Sequence, residues 1–162
     1  SLAASMPGLA FVEARFNRFR ASKYRALTLS IALLNFALNC QLPVVGVCRG
    51  MQLIHHVFGG QLIGCPPNTH VATTHPVHVV QNFAGLSSGQ TLVVNSYHCQ
   101  AIAQSSIVSP FKPLALSADG YVEAFFHSHS PILGVMWHPE RMNPVDADQL
   151  NLMHTVLSGA LA

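Results

Sequence analysis

Charged side chains are scarce in this chain. Asp, Glu, Lys and Arg make up only 9% of its 162 residues, and the formal net charge is +2. Most of the basic residues lie between Arg15 and Arg25, which is typical of a solvated helix surface rather than of a polyanion-binding site. We therefore expect no nucleic-acid partner. Half of the residues are hydrophobic, which predicts a single well-buried domain over residues 1–162.

The chain also lacks an apolar run long enough to span a membrane. Its longest apolar stretch, residues 26–38, is interrupted by Thr28, Ser30 and Asn35, and it is shorter than the ~20 residues that a membrane-spanning helix needs. The first residues do not follow the basic-then-apolar plan of a secretory signal. We therefore expect a cytoplasmic protein with no membrane partner.

Four cysteines are too few and too irregularly spaced for a disulfide framework or a zinc-binding pattern. Three of them, Cys40, Cys65 and Cys99, are expected to be ordinary reduced thiols.

Two histidine pairs invite a metal site but do not support one. His55 and His56 are neighbours in a predicted helix, where adjacent side chains point apart. His127 and His129 share a face only if the chain is extended there, and they are expected to be loop residues. We therefore expect neither a metal ion nor an organic cofactor.

Hydrophobic periodicity predicts helices over residues 22–39, 50–58 and 146–160, with Ser22 as the N-cap of the first helix. A β-branched strand is predicted over residues 44–47, and its unbroken apolar character suits a parallel strand that is buried on both faces. Further strands are predicted at residues 77–81, 91–95, 113–117, 121–126 and 132–136.

Residues 66–76 are rich in Pro, Asn and Thr and are predicted to form a loop. Residues 1–20 show neither helical nor strand periodicity. The first predicted helix has apolar residues on most of its sides, so we expect it to be widely covered. The last predicted helix has four apolar residues on one face, namely Leu150, Met153, Val156 and Leu157. Alternating helices and strands predict an α/β sheet, and we expect a three-layer fold around a mainly parallel, flavodoxin-like sheet.

Cys48 is the strongest candidate for catalysis. It follows the apolar run at residues 43–47 and lies between Gly46 and Gly50, so a tight strand-to-helix turn would expose its thiol at the end of the strand. A nearby imidazole can take the proton of a thiol, and His138 is the candidate base. Glu140 can orient His138 through the other ring nitrogen. The elbow and the helix N-terminus are expected to lower the pKa of Cys48 and to make it the most reactive of the four thiols.

The chain resembles the class I glutamine amidotransferase family. The matching segments are residues 46–52 (GVCRGMQ), 94–98 (VNSYH), 122–125 (VEAF) and 134–141 (GVMWHPER). The elbow and the NSYH block, which is followed by Gln100, look like the γ-glutamyl hydrolase branch. Within that branch, residues 134–141 (GVMWHPER) most resemble the γ-glutamyl-CDP-amidate hydrolases, and the γ-glutamyl-γ-aminobutyrate hydrolases are the next-nearest group.

The resemblance assigns roles to eight residues. It implies that Cys48 is the nucleophile, His138 the general acid/base and Glu140 its partner, and that the Arg49 N–H is an oxyanion donor. It also implies a small-molecule γ-glutamyl substrate held by four residues, namely Gln52, Asn95, Ser96 and Tyr97. His98 adjoins this pocket, and a role for it on the substrate side stays open beside a structural one.

Residues 1–21 depart from the family pattern. The resemblance implies a further strand and a glycine-rich loop upstream of the elbow helix, where the loop supplies a second oxyanion N–H, and residues 1–21 contain no Gly-Gly segment. On this basis we expect a weak hydrolase that self-associates. Two alternatives stay open, an ammonia-donating glutaminase subunit with a synthase partner and a non-catalytic remnant.

Overall fold

The computed structural model describes residues 10–12, 20–144 and 146–160. The four helices are α1 (Arg20–Asn39), α2 (Arg49–Val57), α3 (Pro67–His70) and α4 (Ala147–Leu157). The strands are β1 (Ala10–Val12), β2 (Val44–Val47), β3 (Ile63–Gly64), β4 (Val71–Val79), β5 (Thr91–Tyr97), β6 (Gln100–Ala101), β7 (Phe111–Ser117), β8 (Val122–His127) and β9 (Ile132–Val135). Two short 3₁₀ turns cover Gln104–Ser106 and Pro139–Arg141.

Seven of these strands form one mixed sheet in the order β1-β2-β9-β8-β7-β4-β5. Strand β2 lies between β1 and β9 and is parallel to both. The remaining pairings, from β9 through β8, β7 and β4 to β5, are antiparallel. The expected parallel pairing is therefore confined to one half of the sheet, the half that carries Cys48. Strands β3 and β6 form a separate two-stranded ribbon.

Helices cover both faces of the parallel half. Alternate residues of β2 and β9 point to opposite faces, so Val44 and Ile132 pack with Leu34 of α1 and Met51 of α2. On the other face, Val45, Leu133 and Val135 pack with Leu152 and Val156 of α4. The result is the predicted arrangement of helix, sheet and helix in three layers. No helix of the described residues has the length and apolar character to cross a bilayer.

Three predictions about helices are wrong, the last of them in part. Helix α1 begins at Arg20, so Ser22 lies within its first turn and is not the N-cap. The helix is also less covered than expected, because Leu29 and Phe36 are 61% and 60% exposed, whereas Leu34 is buried. In α4, Leu150 is exposed and Gln149 and Leu152 are buried, so the buried face is rotated from the predicted one. Val156 is buried as predicted, and Met153 and Leu157 pack against the core.

The loop predicted at residues 66–76 is also wrong, because this segment forms α3 and most of β4. Pairing with β5 overrides the local composition. Pro76 is tolerated because it faces Val93 of β5 while the pairing with β7 begins only at Val77. Likewise, β1 was not expected within residues 1–21, and it pairs in parallel with β2.

Candidate active site

Cys48 lies at a sharp turn between β2 and α2. Its backbone has φ +48° and ψ −98°, a left-handed conformation that is rare for a residue with a Cβ. Its N–H donates a 2.7 Å hydrogen bond to the Val135 carbonyl at the end of β9, so the turn is fixed to the neighbouring strand. Strained conformations of this kind persist only where the surroundings impose them, and they concentrate at functional sites.

Gly46 makes this turn sterically feasible. A Cβ at this position would lie 2.7 Å from the Gly50 carbonyl carbon and 2.8 Å from Met51 N, both backbone atoms of α2. The first turn of α2 therefore packs directly on the backbone of β2. This close approach sets where the helix begins and hence where the thiol of Cys48 lies.

His138 and Glu140 follow the strand next to Cys48. Strands β2 and β9 are parallel, with Val47 opposite Val135. His138 and Glu140 therefore lie at the same carboxyl edge of the sheet as Cys48. His138 Nδ1 and Glu140 Oε1 are 2.7 Å apart, as in a carboxylate-oriented imidazole. Since the carboxylate accepts, Nδ1 carries the proton, and in the neutral ring Nε2 then has a free lone pair. No hydrogen bond joins the Cys48 thiol to His138 among the described residues.

Asn95 holds the backbone of His138. Its Oδ1 accepts from the His138 N–H at 2.7 Å, and its Nδ2 donates to the His138 carbonyl at 2.8 Å. The sequence predicts a substrate-binding role for Asn95, and that role stays a prediction. The side-chain amide, however, is engaged in positioning the imidazole.

Burial raises the pKa of the Cys48 thiol to about 11. The nearby charge of Glu123 raises this pKa further, while a hydrogen bond from the Arg49 N–H and the positive charges of Arg49 and Arg141 oppose the rise. The expected low pKa is therefore wrong for the free protein, because removal from water outweighs the elbow and the charges. The same hydrogen bond shows that the Arg49 N–H points toward the thiol.

The expectation that Cys48 is the most reactive thiol loses its basis for the same reason. A thiol held as S–H is a poor nucleophile until a base takes its proton. Cys40 and Cys99 are free and exposed, whereas Cys48 and Cys65 are buried.

Gln52 and Arg49 meet at Gln100, beside the elbow. Gln52 is buried and donates to the Gln100 carbonyl at 3.1 Å and to Met136 Sδ at 3.6 Å. Arg49 donates to the side-chain oxygens of Gln100 at 3.1 Å and of Gln52 at 3.4 Å. The pocket role predicted for Gln52 stays a prediction, and its amide is fixed by these contacts.

Ser96 and Tyr97 point in different directions. The Ser96 hydroxyl is fully buried and donates to the His70 carbonyl at 2.7 Å, so it supports the fold. Tyr97 is exposed, its ring lies edge-on to His138 with centroids 5.6 Å apart, and the Arg141 guanidinium stands 4.8 Å from its centroid. Of the two side chains, Tyr97 is the one placed beside the imidazole. The prediction that residues 1–21 lack a second oxyanion donor falls mostly on residues 1–9 and 13–19, which lie outside the described residues.

The sequence analysis missed a buried cluster near this site. Four side chains each direct one potential ligand atom to a common point, and these four atoms lie within 4.8 Å of one another. The residues are His70, His75, His98 and Glu123. These residues come from α3, β4, the turn after β5, and β8, and no regular spacing in the sequence connects them. The one available signal was the polar Glu123 inside an apolar strand, since a buried carboxylate requires partners.

A family model and several curated relatives match this chain. A family model described as Peptidase C26 matches residues 18–140. The γ-glutamyl-CDP-amidate hydrolase of Campylobacter jejuni is 30% identical over 118 residues, which cover 73% of this chain and 52% of that protein. The aminodeoxychorismate/anthranilate synthase component 2 of Bacillus subtilis is 34% identical over 101 residues, which cover 62% of this chain and 51% of that protein. The chain thus spans about half the length of these two curated relatives.

Solved structures share the fold. A glutamine amidotransferase from Thermotoga maritima has a TM-score of 0.66 at 17% identity, covering 91% of this chain and 62% of that chain. A glutamine amidotransferase from Methylobacillus flagellatus has a TM-score of 0.59 at 19% identity, covering 80% of this chain and 49% of that chain. The predicted α/β fold class is thereby confirmed.

Proposed function

This chain belongs to the Peptidase C26 family, which is class I glutamine amidotransferase-like, and from this premise we propose that it hydrolyses a γ-glutamyl amide through Cys48, His138 and Glu140. The leaving group in this proposal is an amine or amidate joined to the γ-carboxyl group of glutamate. The C. jejuni relative, a γ-glutamyl-CDP-amidate hydrolase, supports a γ-glutamyl conjugate over free glutamine.

One observation carries the proposal. Cys48 lies in a left-handed elbow that is hydrogen bonded to the end of β9, and the continuation of β9 carries the His138–Glu140 pair. The backbone thus holds nucleophile and base on adjacent parallel strands.

The first half of the reaction forms a thioester. His138 Nε2 takes the proton of the Cys48 thiol as Sγ attacks the γ-carbonyl carbon, because burial of the thiol disfavours a thiolate formed in advance. The Arg49 N–H donates to the oxyanion of the tetrahedral intermediate. Protonated His138 then gives its proton to the leaving nitrogen, the C–N bond breaks, and a glutamyl thioester remains on Cys48.

The second half of the reaction regenerates the enzyme. His138 takes a proton from a water molecule, which attacks the thioester carbonyl carbon. The C–S bond breaks, Sγ recovers the proton from His138, and glutamate leaves. Glu140 holds the ring through Nδ1 and stabilises its charged form in both halves.

Two guanidinium groups favour an acidic substrate. Arg49 and Arg141 are close enough for their charges to lower the pKa of Cys48, so they place positive potential over the thiol. The free α-carboxylate of a γ-glutamyl group is a complementary partner for that potential. Substrates whose α-carboxylate is esterified should therefore react more slowly than the free acid.

The test combines turnover with covalent labelling. We expect the protein to hydrolyse γ-glutamyl-p-nitroanilide and to be labelled at Cys48 by a γ-glutamyl diazoketone, with mass spectrometry locating the adduct. Cys48→Ala and His138→Ala should each abolish turnover, and the double variant should be no worse than Cys48→Ala because the residues act as a unit. Cys40→Ala and His129→Ala, both at exposed positions, are the matched controls. Turnover by Cys48→Ala, or a diazoketone adduct on another cysteine, would refute the mechanism.

An ammonia-donating glutaminase subunit is the second candidate, and the B. subtilis synthase component among the relatives favours it. Such a subunit should cleave glutamine slowly alone and faster in the presence of a synthase partner. Measuring glutaminase and γ-glutamyl-p-nitroanilide hydrolysis with and without an anthranilate synthase large subunit distinguishes the two candidates. A folded protein with no turnover and no label at Cys48 would instead support a non-catalytic remnant.

A further inference from the structure

The histidine cluster, consisting of His70, His75, His98 and Glu123, is almost entirely buried. The side chains of His70 and His98 are 2% exposed and that of Glu123 is 1% exposed, while that of His75 is 15% exposed. Glu123 Oε1 lies 3.6 Å from His70 Nδ1, 3.6 Å from His98 Nε2 and 4.0 Å from His75 Nε2. Four side chains thus converge on one point inside the protein.

None of the converging atoms has a hydrogen-bond partner among the described residues. His70 Nδ1, His75 Nε2, His98 Nε2 and both carboxylate oxygens of Glu123 are buried and unpaired. The separations from Glu123 Oε1 exceed the ~3.2 Å limit of an ordinary N–H···O hydrogen bond. A buried carboxylate without a partner is costly, so an arrangement of this kind calls for a positive group at its centre.

The contacts of the outer ring nitrogens show which nitrogen of each neutral imidazole carries the proton. His70 Nε2 lies 2.9 Å from Asp119 Oδ2, His98 Nδ1 lies 3.0 Å from the Gln100 carbonyl, and His75 Nδ1 lies 3.2 Å from the Pro76 carbonyl. Carboxylate and carbonyl oxygens only accept, so each of these outer nitrogens is the N–H donor. In the neutral rings the inner nitrogens are therefore lone pairs, all directed at Glu123.

The separations from Glu123 Oε1 fit a cation better than a water molecule. Four ligands bonded to Zn²⁺ at about 2.05 Å in a tetrahedron lie about 3.3 Å apart. Four groups hydrogen bonded to one water at about 2.8 Å lie about 4.6 Å apart. The two 3.6 Å separations in the cluster are nearer the first value, and the 4.0 Å separation lies between the two.

We propose that His70 Nδ1, His75 Nε2, His98 Nε2 and Glu123 bind one divalent transition-metal ion, for which Zn²⁺ is the best match. Three imidazoles and one carboxylate are ligands that Zn²⁺ accepts, and the bond from His70 to Asp119 is the outer-shell contact typical of zinc-binding histidines. A surface cavity lined by Thr74, His75 and Asp119, among others, gives an ion a path inward.

The role of this ion is structural. All four ligands come from the protein, which leaves no position for a substrate in a tetrahedral site. The His70 carbonyl accepts hydrogen bonds from Ser96 Oγ and from the His98 N–H, so the cluster also fixes the end of β5. Asn95, which clamps His138, belongs to the same strand. The ion would thus stabilise the scaffold on which the imidazole rests, whichever amide is cleaved.

Direct metal measurements test the proposal without any activity assay. We expect elemental analysis of the purified chain to find close to one zinc per chain, and Co²⁺ added to the chelator-treated protein to give the visible absorption of tetrahedral cobalt. Titration with Zn²⁺ should raise Tm until one equivalent is bound.

Variants locate the ion. His75→Asn should lower Zn²⁺ affinity at least tenfold, while His78→Asn, at an exposed position on the same strand, should leave it unchanged. Glu123→Gln is the control for loss of folding. Its amide can donate hydrogen bonds to the imidazole lone pairs, so the buried polar groups keep partners without a metal ion. It should fold without metal and bind Zn²⁺ at least tenfold more weakly.

Two results would overturn the proposal. One is a folded wild-type chain that takes up neither Zn²⁺ nor Co²⁺ at micromolar concentrations, which would leave water or a shared proton at the centre of the cluster. The other is equal Zn²⁺ affinity in the wild type and in folded Glu123→Gln, which would place any bound ion elsewhere.

Discussion

At the scale of single residues, Cys48 combines a left-handed backbone conformation with burial, since the residue is only 6% exposed. The backbone conformation places the side chain at the carboxyl edge of the sheet, and the burial keeps its proton in place. A nucleophile that is inactive until substrate and base meet is protected from oxidation and alkylation, which select for thiolate character and exposure. Under the proposed mechanism, the reactivity of Cys48 is thus tied to the arrival of the substrate.

This burial predicts how stability changes with pH. The folded-state pKa of Cys48 is about 11 against an ordinary value of 9.0, so folding favours the protonated thiol. Its contribution to stability is complete below pH 9 and is lost as the pH rises through 11, up to about 2–3 kcal/mol. Urea unfolding of wild type and Cys48→Ala should therefore converge between pH 9 and 11. Parallel pH profiles would show that the thiol is not desolvated.

Asn95 offers a second test at this scale. Asn95→Ala removes both hydrogen bonds to the His138 backbone, so the imidazole should shift and kcat should fall about tenfold or more, with KM little changed. Asn82→Ala, at an exposed position where the side chain bonds only to the Ser88 N–H, is the control. Steady-state kinetics separates the two roles, because a residue that only binds substrate would raise KM at constant kcat.

At the scale of elements, the contact between β2 and α2 determines the geometry of the elbow. Gly46→Ala would press a methyl group against the backbone of α2, which cannot move without moving Cys48. We expect a loss of about 1–3 kcal/mol in the free energy of unfolding and a marked loss of labelling at Cys48. Gly64→Ala, where an added Cβ meets nothing within 4 Å, should change neither. Normal labelling of Gly46→Ala would mean that the elbow tolerates a displaced helix.

Elements defined by local pattern could be predicted from the sequence, and elements defined by partners could not. The strand Val44–Val47 could be predicted from its β-branched residues, and the end of α2 from the glycines that follow it. Strand β4 does not, because its Pro and Thr content favours a loop and only pairing with β5 makes it a strand. The face that α4 buries likewise depends on the sheet beneath it.

The candidate site divides in the same way. The small residues around Cys48 and the two-residue spacing of His138 and Glu140 are visible in the sequence, because each reflects local backbone geometry. The clamp by Asn95 and the raised pKa of Cys48 follow from long-range packing, which no spacing encodes. The histidine cluster was missed for that reason as well.

At the scale of the whole molecule, α1 presents an apolar face that no other described residue covers. Leu29 and Phe36 are well exposed on this face, while Leu34 on the opposite side of the same helix is buried. Contiguous exposed apolar surface of this kind promotes association in solution.

Substitution by Gln should affect the stability of the protein differently on the two sides of α1. Phe36→Gln should alter the free energy of unfolding by no more than about 0.5 kcal/mol and lower the binding of a hydrophobic dye such as ANS. Leu34→Gln should destabilise by at least 2 kcal/mol, because it buries an amide without partners. Chemical denaturation and dye fluorescence measure both effects. A large loss of stability in Phe36→Gln would mean that this face is covered in the folded protein.

The parallel pairing of β2 with β9 has a consequence for biosynthesis. Ninety residues separate Cys48 from His138, so at a synthesis rate of about 5–20 residues per second Cys48 leaves the ribosome roughly 5–20 s before His138. During that interval β2 lacks one of its two neighbours, and the Cys48 N–H lacks the Val135 carbonyl that fixes the elbow. The thiol of the nascent chain is therefore exposed to oxidants until the last strand pairs, and folding itself completes its protection.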